Sequence, residues 1–360
     1  MINFKNFLNL IVLTIFVGLN LSAESKDQNE KIKIGFLYPA SGILSEYGVA
    51  VYNGLQMAMD ENPEEFKNIK IIYEDQQWDS KVAVNAYMKL VNSDKVNLIF
   101  NWGNPTTDAL APIAKNQKQA MVAMSSSYLV NENNDYLFRS LNTAENISIS
   151  LAEYLNKQNQ GPSAILVAQN SYVAGLFNGL KNNLNKPFDI VEEFPLDQMD
   201  FRSMIAKLRA KKIKTLGIFL ITGQVSTFYR QLGANHNFQT FGADFFDSQN
   251  EIDQSMPAIN GAVYPTFAVS DEFRERYLKK YRNDLQIVFA GNTYDTMLAV
   301  AKALKDQKST IKGKELIDLI KQLPDQNGVS GEFKVNLASP HFEFPVVLKK
   351  VVNGRVEVIE

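Results

Sequence analysis

"KIKIGFLYPASGILSEYGVAVYNGLQMAMDE", Lys31 to Glu61, is the stretch on which the fold turns. Its first residues, Ile32 to Leu37, read as a strand; small residues then make a turn; and from Glu46 onward the apolar residues recur at helical spacing. The unit repeats down the chain. Strand-like runs follow as "IKIIYE" from Ile69, "NLIF" from Asn97 and "AMVAM" from Ala120. Between them lie the amphipathic stretches "SKVAVNAYMKLVN" from Ser80 and "TTDALAPIAKNQ" from Thr106. Strand and helix alternating in this way imply a parallel sheet covered by helices on both faces.

The rhythm restarts at "SAILVA" from Ser163, and "AILVAQNSYVAGLFNGLKNNL" echoes the opening unit in strand, turn and helix. A helix from Val173 to Leu184, "IVEEFP" from Ile190, a helix from Phe201 to Ala210, "TLGIFLI" from Thr215 and a helix from Ser226 to Leu232 complete a second series. A second sheet is therefore expected. "EFRERYLKKY" from Glu272 and "NTYDTMLAVAKALKD" from Asn292 read as further helices. "FPVVLKKVVNGRVEVI" closes as a hairpin turning on Asn353 and Gly354. No Pro-rich or low-complexity linker separates the two series, so two lobes sharing several crossings are expected.

The first 23 residues have the form of a signal peptide: Lys5, an apolar run from Phe7 to Leu21 broken by Asn9 and Asn20, and Ala23 before the expected cut. That run is shorter than the about 20 uninterrupted apolar residues of a membrane span. The chain has no cysteine, hence no thiol for a lipid, a disulfide or a metal. An exported protein without a lipid anchor is expected to be retained in a periplasm. With 37 Lys and Arg against 39 Asp and Glu there is no basic excess, and neither nucleic acid nor an anionic membrane is expected as a partner.

Several chemistries lack their residues. Neither of the glycine spacings that cradle phosphates occurs. The two histidines, His236 and His341, lie apart and read as surface residues, so no metal site is expected. "MVAMSSS", Met121 to Ser127, offers three serines, but without a G-x-S-x-G elbow or a histidine base they are not expected to act as nucleophiles. Glu74, Asp75 and Asp79 could in principle do acid and base work, yet Asp79 or Ser80 reads as a helix cap and Asp75 as a strand end. What remains is a set of polar residues at strand ends, in "FNWGNPTTDA" and "AMVAMSSSY", where open parallel sheets bind ligands. The serines read as ligand-holding groups.

From Lys31 to Glu61, through "TTDALAPIAKNQKQAMVAMSSS", "LFRS", "NSYVAGL", "FRSMIAKLRAKKIKTLGIFLITGQVSTFYRQLGA" and "NTYDTMLAVAKAL" to "GVSGEFKVN", the chain resembles the type I periplasmic binding proteins of the leucine/isoleucine/valine class. The resemblance implies an α/β fold of two doubly wound parallel-sheet lobes with a ligand cleft between them. It divides the chain into an N-terminal lobe of residues 32–145 and 268–336 and a C-terminal lobe of 146–267 and 337–360. Asn104 falls where a serine usually meets the ligand carboxylate. Ser125 and Ser127 fall where a backbone carbonyl and a hydroxyl grip the ammonium and carboxylate. Asp244 takes the place of the acidic residue facing the ammonium, and Tyr172 that of the opposite lobe's tyrosine. Tyr47, Trp102 and Phe289 surround the ligand's side chain, and Ile221 or Thr222 stands at another aromatic contact.

Asparagine in place of serine, aspartate in place of glutamate and no tyrosine near Ile221 leave the side chain of the ligand open. The resemblance implies a monomeric, non-enzymatic substrate-binding component without cofactor, which delivers a small amino acid, branched-chain or related apolar, to an ABC permease in the inner membrane by hinge closure. Alternatives are a binder of an aromatic or aliphatic carboxylate, a ligand-sensing subunit of a membrane receptor, and an exported enzyme using Glu74 and Asp75.

Overall fold

The computed structural model describes residues 30–127, 133–158 and 161–359. The expected signal peptide, 1–23, lies outside them. Strands β1 (Ile32–Tyr38), β2 (Ile69–Asp75), β3 (Leu98–Trp102), β4 (Ala120–Met124) and β5 (Leu137–Arg139) pair in parallel in the order β5-β4-β3-β1-β2. A second parallel set holds β6 (Ser163–Ala168), β7 (Ile190–Phe194), β8 (Thr215–Phe219), β9 (Gln239–Gly242) and β10 (Val263–Phe267), in the order β10-β9-β8-β6-β7. Their central strands are buried along their whole length, as strands covered on both faces must be. Helices over Ser45–Glu61, Ser80–Lys89, Asn104–Gln117, Ser171–Asn183, Arg202–Ala210 and Gln224–Leu232 provide the cover at the places read from the sequence.

Both sheets are mixed at one edge, because the chain returns to each. The short strands β11 (Gln326–Gly328), β12 (Gly331–Asn336) and β13 (His341–Glu343) extend the first sheet beyond β5. Strands β14 (Val346–Val352) and β15 (Arg355–Val358) extend the second beyond β10 as an antiparallel hairpin. Its turn is the expected one, since Asn353 and Gly354 both take positive φ, 50° and 80°.

Three segments cross between the sheets: one after β5, one after β10, and one between β13 and β14. The last crossing falls at Phe344 and Pro345, so residues 337–343, expected in the C-terminal lobe, return to the first sheet instead. The reason is β13, whose His341 pairs with Asn336 on one side and Arg139 on the other. Three residues are too few to leave an alternation legible in sequence. The same pairing corrects the reading of His341 as a surface residue: it is 2% exposed, and burial followed by the charge of Arg139 lowers its pKa.

In the first lobe the Ile287–Leu304 helix packs on the Ser45–Glu61 helix. A Cβ on Gly54 would lie 2.1 Å from the Ala290 carbonyl oxygen, so only glycine allows this close a crossing. That contact seats Phe289 beside Tyr47.

Candidate functional site

A cavity of about 110 Å³ lies where the two lobes face each other, at the carboxyl ends of the parallel strands. From the first lobe, the turn after β1 leads to Tyr47, β3 ends in Trp102, and Gly103 and Asn104 open the next helix. Gly103 has φ +99°, and its amide donates to the Met124 carbonyl at 3.0 Å, which locks the ends of β3 and β4 together. Asn101, fully buried, donates to the Thr106 and Thr107 hydroxyls at 3.0 and 2.8 Å and pins the helix start.

The Asn104 side chain is oriented by its neighbours. Its Oδ1 accepts from the Ser125 hydroxyl and the Ser126 amide, each at 2.9 Å. Its Nδ2 is therefore the donor turned away from them, and that buried atom has no hydrogen-bond partner among the described residues.

The second lobe contributes the matching strand ends. Asn170 caps the Ser171–Asn183 helix, accepting from the amides of Tyr172 and Val173 at 2.9 and 3.4 Å, and so sets Tyr172 in the first turn. After β8, Ile221 and Thr222 face the cavity. Their loop is fixed by two buried side chains absent from the sequence reading. Gln224 accepts from the Ile221 amide at 3.3 Å, and Glu251 accepts from the amides of Gly223 and Ser226 at 2.7 and 2.8 Å. After β9 the chain makes a short turn, Asp244–Asp247, carrying two carboxylates with different fates. Asp247 is paired with Lys349 at 3.0 Å and accepts from the Tyr264 hydroxyl at 2.7 Å. Asp244 has no cation, and its Oδ1 has no hydrogen-bond partner among the described residues. Burial pushes its carboxyl up to about 7, a rise opposed by the Tyr172 hydroxyl and increased by the charge of Asp247. Burial and the Asp244 carboxylate hold the Tyr172 and Tyr47 phenols well above their ordinary range, hence neutral.

Of the nine expected site residues, Tyr47, Trp102, Asn104, Ser125, Tyr172, Thr222, Asp244 and Phe289 line this cavity. Ser127 does not. Its carbonyl accepts from Arg139 at 3.3 Å and its amide donates to the Ser125 hydroxyl at 3.2 Å, so its backbone turns back into the first lobe. The expectation that it grips a ligand finds no support in that lining: of the three consecutive serines, Ser125 and the middle one, Ser126, lie at the cavity. Trp78, Asn170, Phe245 and Phe267 also line it and were not singled out. Only Asn170 carries a local signal, as an asparagine directly before a helix. The carboxylates considered for catalysis have structural partners. Asp79 caps the Ser80–Lys89 helix through the amides of Lys81 and Val82, Asp75 accepts from the Ser41 hydroxyl at 2.6 Å, and Glu74 pairs with Lys89.

Two α/β lobes with strand-end side chains converging on a shared cleft define a bilobal architecture of the solute-holding kind. A family model for periplasmic binding proteins matches residues 31–355, and the chain belongs to that family. No curated protein matches it. Solved structures of similar fold include a leucine-binding protein, LivK, of Thermotoga maritima, with 20% identity, 91% of this chain and 98% of that chain covered, and a TM-score of 0.81. Another is a solute-binding protein of an ABC transporter from Rhodopseudomonas palustris in complex with 3,4-dihydroxybenzoic acid, with 20% identity, coverage of 92% and 96%, and a TM-score of 0.81. A third is the branched-chain amino acid transporter substrate-binding protein LivJ of Streptococcus pneumoniae in complex with isoleucine, with 21% identity, coverage of 92% and 99%, and a TM-score of 0.80. Among the described residues no helix is long and apolar enough to cross a membrane.

Proposed function

We propose that this chain is the periplasmic substrate-binding component of an ABC importer and that it takes a small apolar amino acid, branched-chain or related, by closing its lobes over it. The observation carrying this reading is that the donor Asn104 Nδ2 and the acceptor Asp244 Oδ1, buried and without a hydrogen-bond partner among the described residues, belong to residues lining one cavity from opposite lobes, with the Thr222 hydroxyl a third such group. An α-amino acid supplies the complement to the first two. Its carboxylate accepts from Asn104, and its ammonium pairs with Asp244, among the described residues the one ionisable carboxyl lining the cavity. The apolar remainder meets Tyr47, Trp102 and Phe289. The isoleucine of the similar LivJ structure supports such a site, whereas the 3,4-dihydroxybenzoic acid of the Rhodopseudomonas palustris structure carries no amine.

Closure needs a hinge, and the three crossings supply one. The expected partners are the ligand and a permease in the inner membrane, and the mature chain is expected to act as a monomer after export.

A second reading, a carboxylate ligand without an amine, is favoured by the raised pKa of Asp244, which would let the acid accompany a carboxylate in its neutral form. Calorimetric titration with leucine and with its deaminated acid, 4-methylpentanoate, tests the choice. Tighter binding of the deaminated acid would replace the amino-acid reading with the carboxylate one.

A further inference from the structure

We propose that the amino acid held in this cleft is an aromatic one, and that Trp78 selects it over branched-chain side chains. The inference rests on the α-amino-acid reading above and puts an aromatic side chain in place of the branched-chain one. Both tryptophans of the chain line the cavity, although they belong to separate loops. Trp102 ends β3. Trp78 sits in the loop after β2, where Gln77 and Trp78 take φ of 52° and 55° in succession. Residues with bulky side chains rarely adopt left-handed backbone, and such strain persists where the surroundings impose it, typically at ligand sites.

The surroundings here do impose it. Gln76, fully buried, donates from its side chain to the Trp102 carbonyl at 2.9 Å and from its backbone to the Tyr38 carbonyl at 3.1 Å. The Gln77 amide is held by Asp75 at 2.9 Å. The effect of this bracing is to lay the Trp78 indole against Gly103, where a Cβ would come within 3.3 Å of the ring. A strained loop and a bare glycine thus combine to bring an indole to the cavity wall.

Rings from other elements complete the enclosure. Tyr47, Trp102 and Phe289 contact one another with centroids 5.6, 5.3 and 6.0 Å apart and planes inclined by 38°, 62° and 80°. Facing them from the second lobe, Tyr172 and Phe245 meet edge-on at 6.1 Å and 76°. A flat ring entering between these sets meets both faces and edges, the arrangement in which aromatic groups attract beyond their buried area. An aliphatic tail gains only the area.

The test is to titrate the mature chain calorimetrically with L-phenylalanine, L-tryptophan, L-leucine, L-isoleucine and 3-phenylpropanoate. Phenylalanine or tryptophan should bind at least about tenfold tighter than leucine and isoleucine. Trp78→Leu should abolish that preference. The order among ligands for the unsubstituted protein requires no variant, so a poorly folded Trp78→Leu would not spoil the test. Leucine or isoleucine binding as tightly as the aromatic amino acids would overturn the aromatic assignment and leave the amino-acid reading standing. Tighter binding of 3-phenylpropanoate than of phenylalanine, or no binding of any of the five, would overturn the amino-acid reading and this inference with it.

Discussion

Asn142 binds the backbone of Phe344 with both ends of its side-chain amide, accepting from the amide N–H at 2.8 Å and donating to the carbonyl at 3.1 Å. The two residues lie on different crossings between the lobes, 202 positions apart. The middle crossing joins them, because the Ala268 amide donates to the Pro345 carbonyl at 3.2 Å and the Phe267 ring meets that of Phe344 edge-on at 6.3 Å. All three connections are thereby tied into one narrow bridge on which the lobes can turn.

Asn142→Ala should remove that clamp and leave a buried N–H and carbonyl of Phe344 without their partner. The expected loss is about 2–4 kcal/mol, from two buried polar groups left unsatisfied. Urea denaturation followed by far-ultraviolet circular dichroism measures it, and a loss below about 1 kcal/mol would show that water replaces the side chain there.

Asn104→Asp is the sharpest probe of the carboxylate end of the site. It keeps the acceptor used by the Ser125 hydroxyl and the Ser126 amide but turns the unpartnered donor Nδ2 into a second, charged acceptor. An amino-acid or carboxylate ligand should lose at least about tenfold in affinity, or about 1.4 kcal/mol, through repulsion and the missing donor. Thermal unfolding without ligand should move little. Unaltered affinity in calorimetry would remove Asn104 from the site.

Ser127→Ala should have the opposite profile. With Ser127 absent from the cavity lining, the substitution should leave ligand affinity within about twofold and lower stability by at most about 1 kcal/mol, the worth of one hydrogen bond. A large fall in affinity with stability unchanged would return Ser127 to the ligand.

The pH dependence should carry the signature of Asp244. Its carboxyl is raised by burial from 3.8 to about 7, so between those values the folded protein keeps a proton that the unfolded chain has lost. Stability of the ligand-free protein should fall as pH rises through that window, and Asp295, raised by burial to about 6, adds a contribution of the same sign. Asp244→Asn should flatten part of this slope in thermal melts. An ammonium ligand favours the charged carboxylate, so its affinity should rise with pH through about 7, with proton release below it. Calorimetry in two buffers of different ionisation enthalpy detects that proton, and proton uptake on binding would contradict an ammonium at Asp244.

The sequence by itself determined the strand and helix alternation, the two series, the Asn353–Gly354 hairpin and the polar strand ends carrying Asn104 and Ser125. These are local matters: side-chain periodicity and turn chemistry repeat along the chain and need no distant partner. Eight of the nine candidate site residues reach the cavity because, in this architecture, strand order already fixes which loops meet. Only the tertiary structure decided which residue of a loop turns inward. Ser127 is held by Arg139 while Ser126 lines the cavity, a choice set by the bonds of Asn104 and Arg139. Trp78 reaches the site through a backbone conformation that its own sequence disfavours and that Gln76 imposes from the neighbouring strand end. Gln224 and Glu251 are polar residues that a sequence reader places on the surface, yet each is 1% exposed, because Glu251 accepts from the distant Gly223 and Ser226 amides and Gln224 donates to the distant Pro195 carbonyl. The last crossing slipped to Phe344 for the same cause, since a three-residue strand exists only through its neighbours in the sheet.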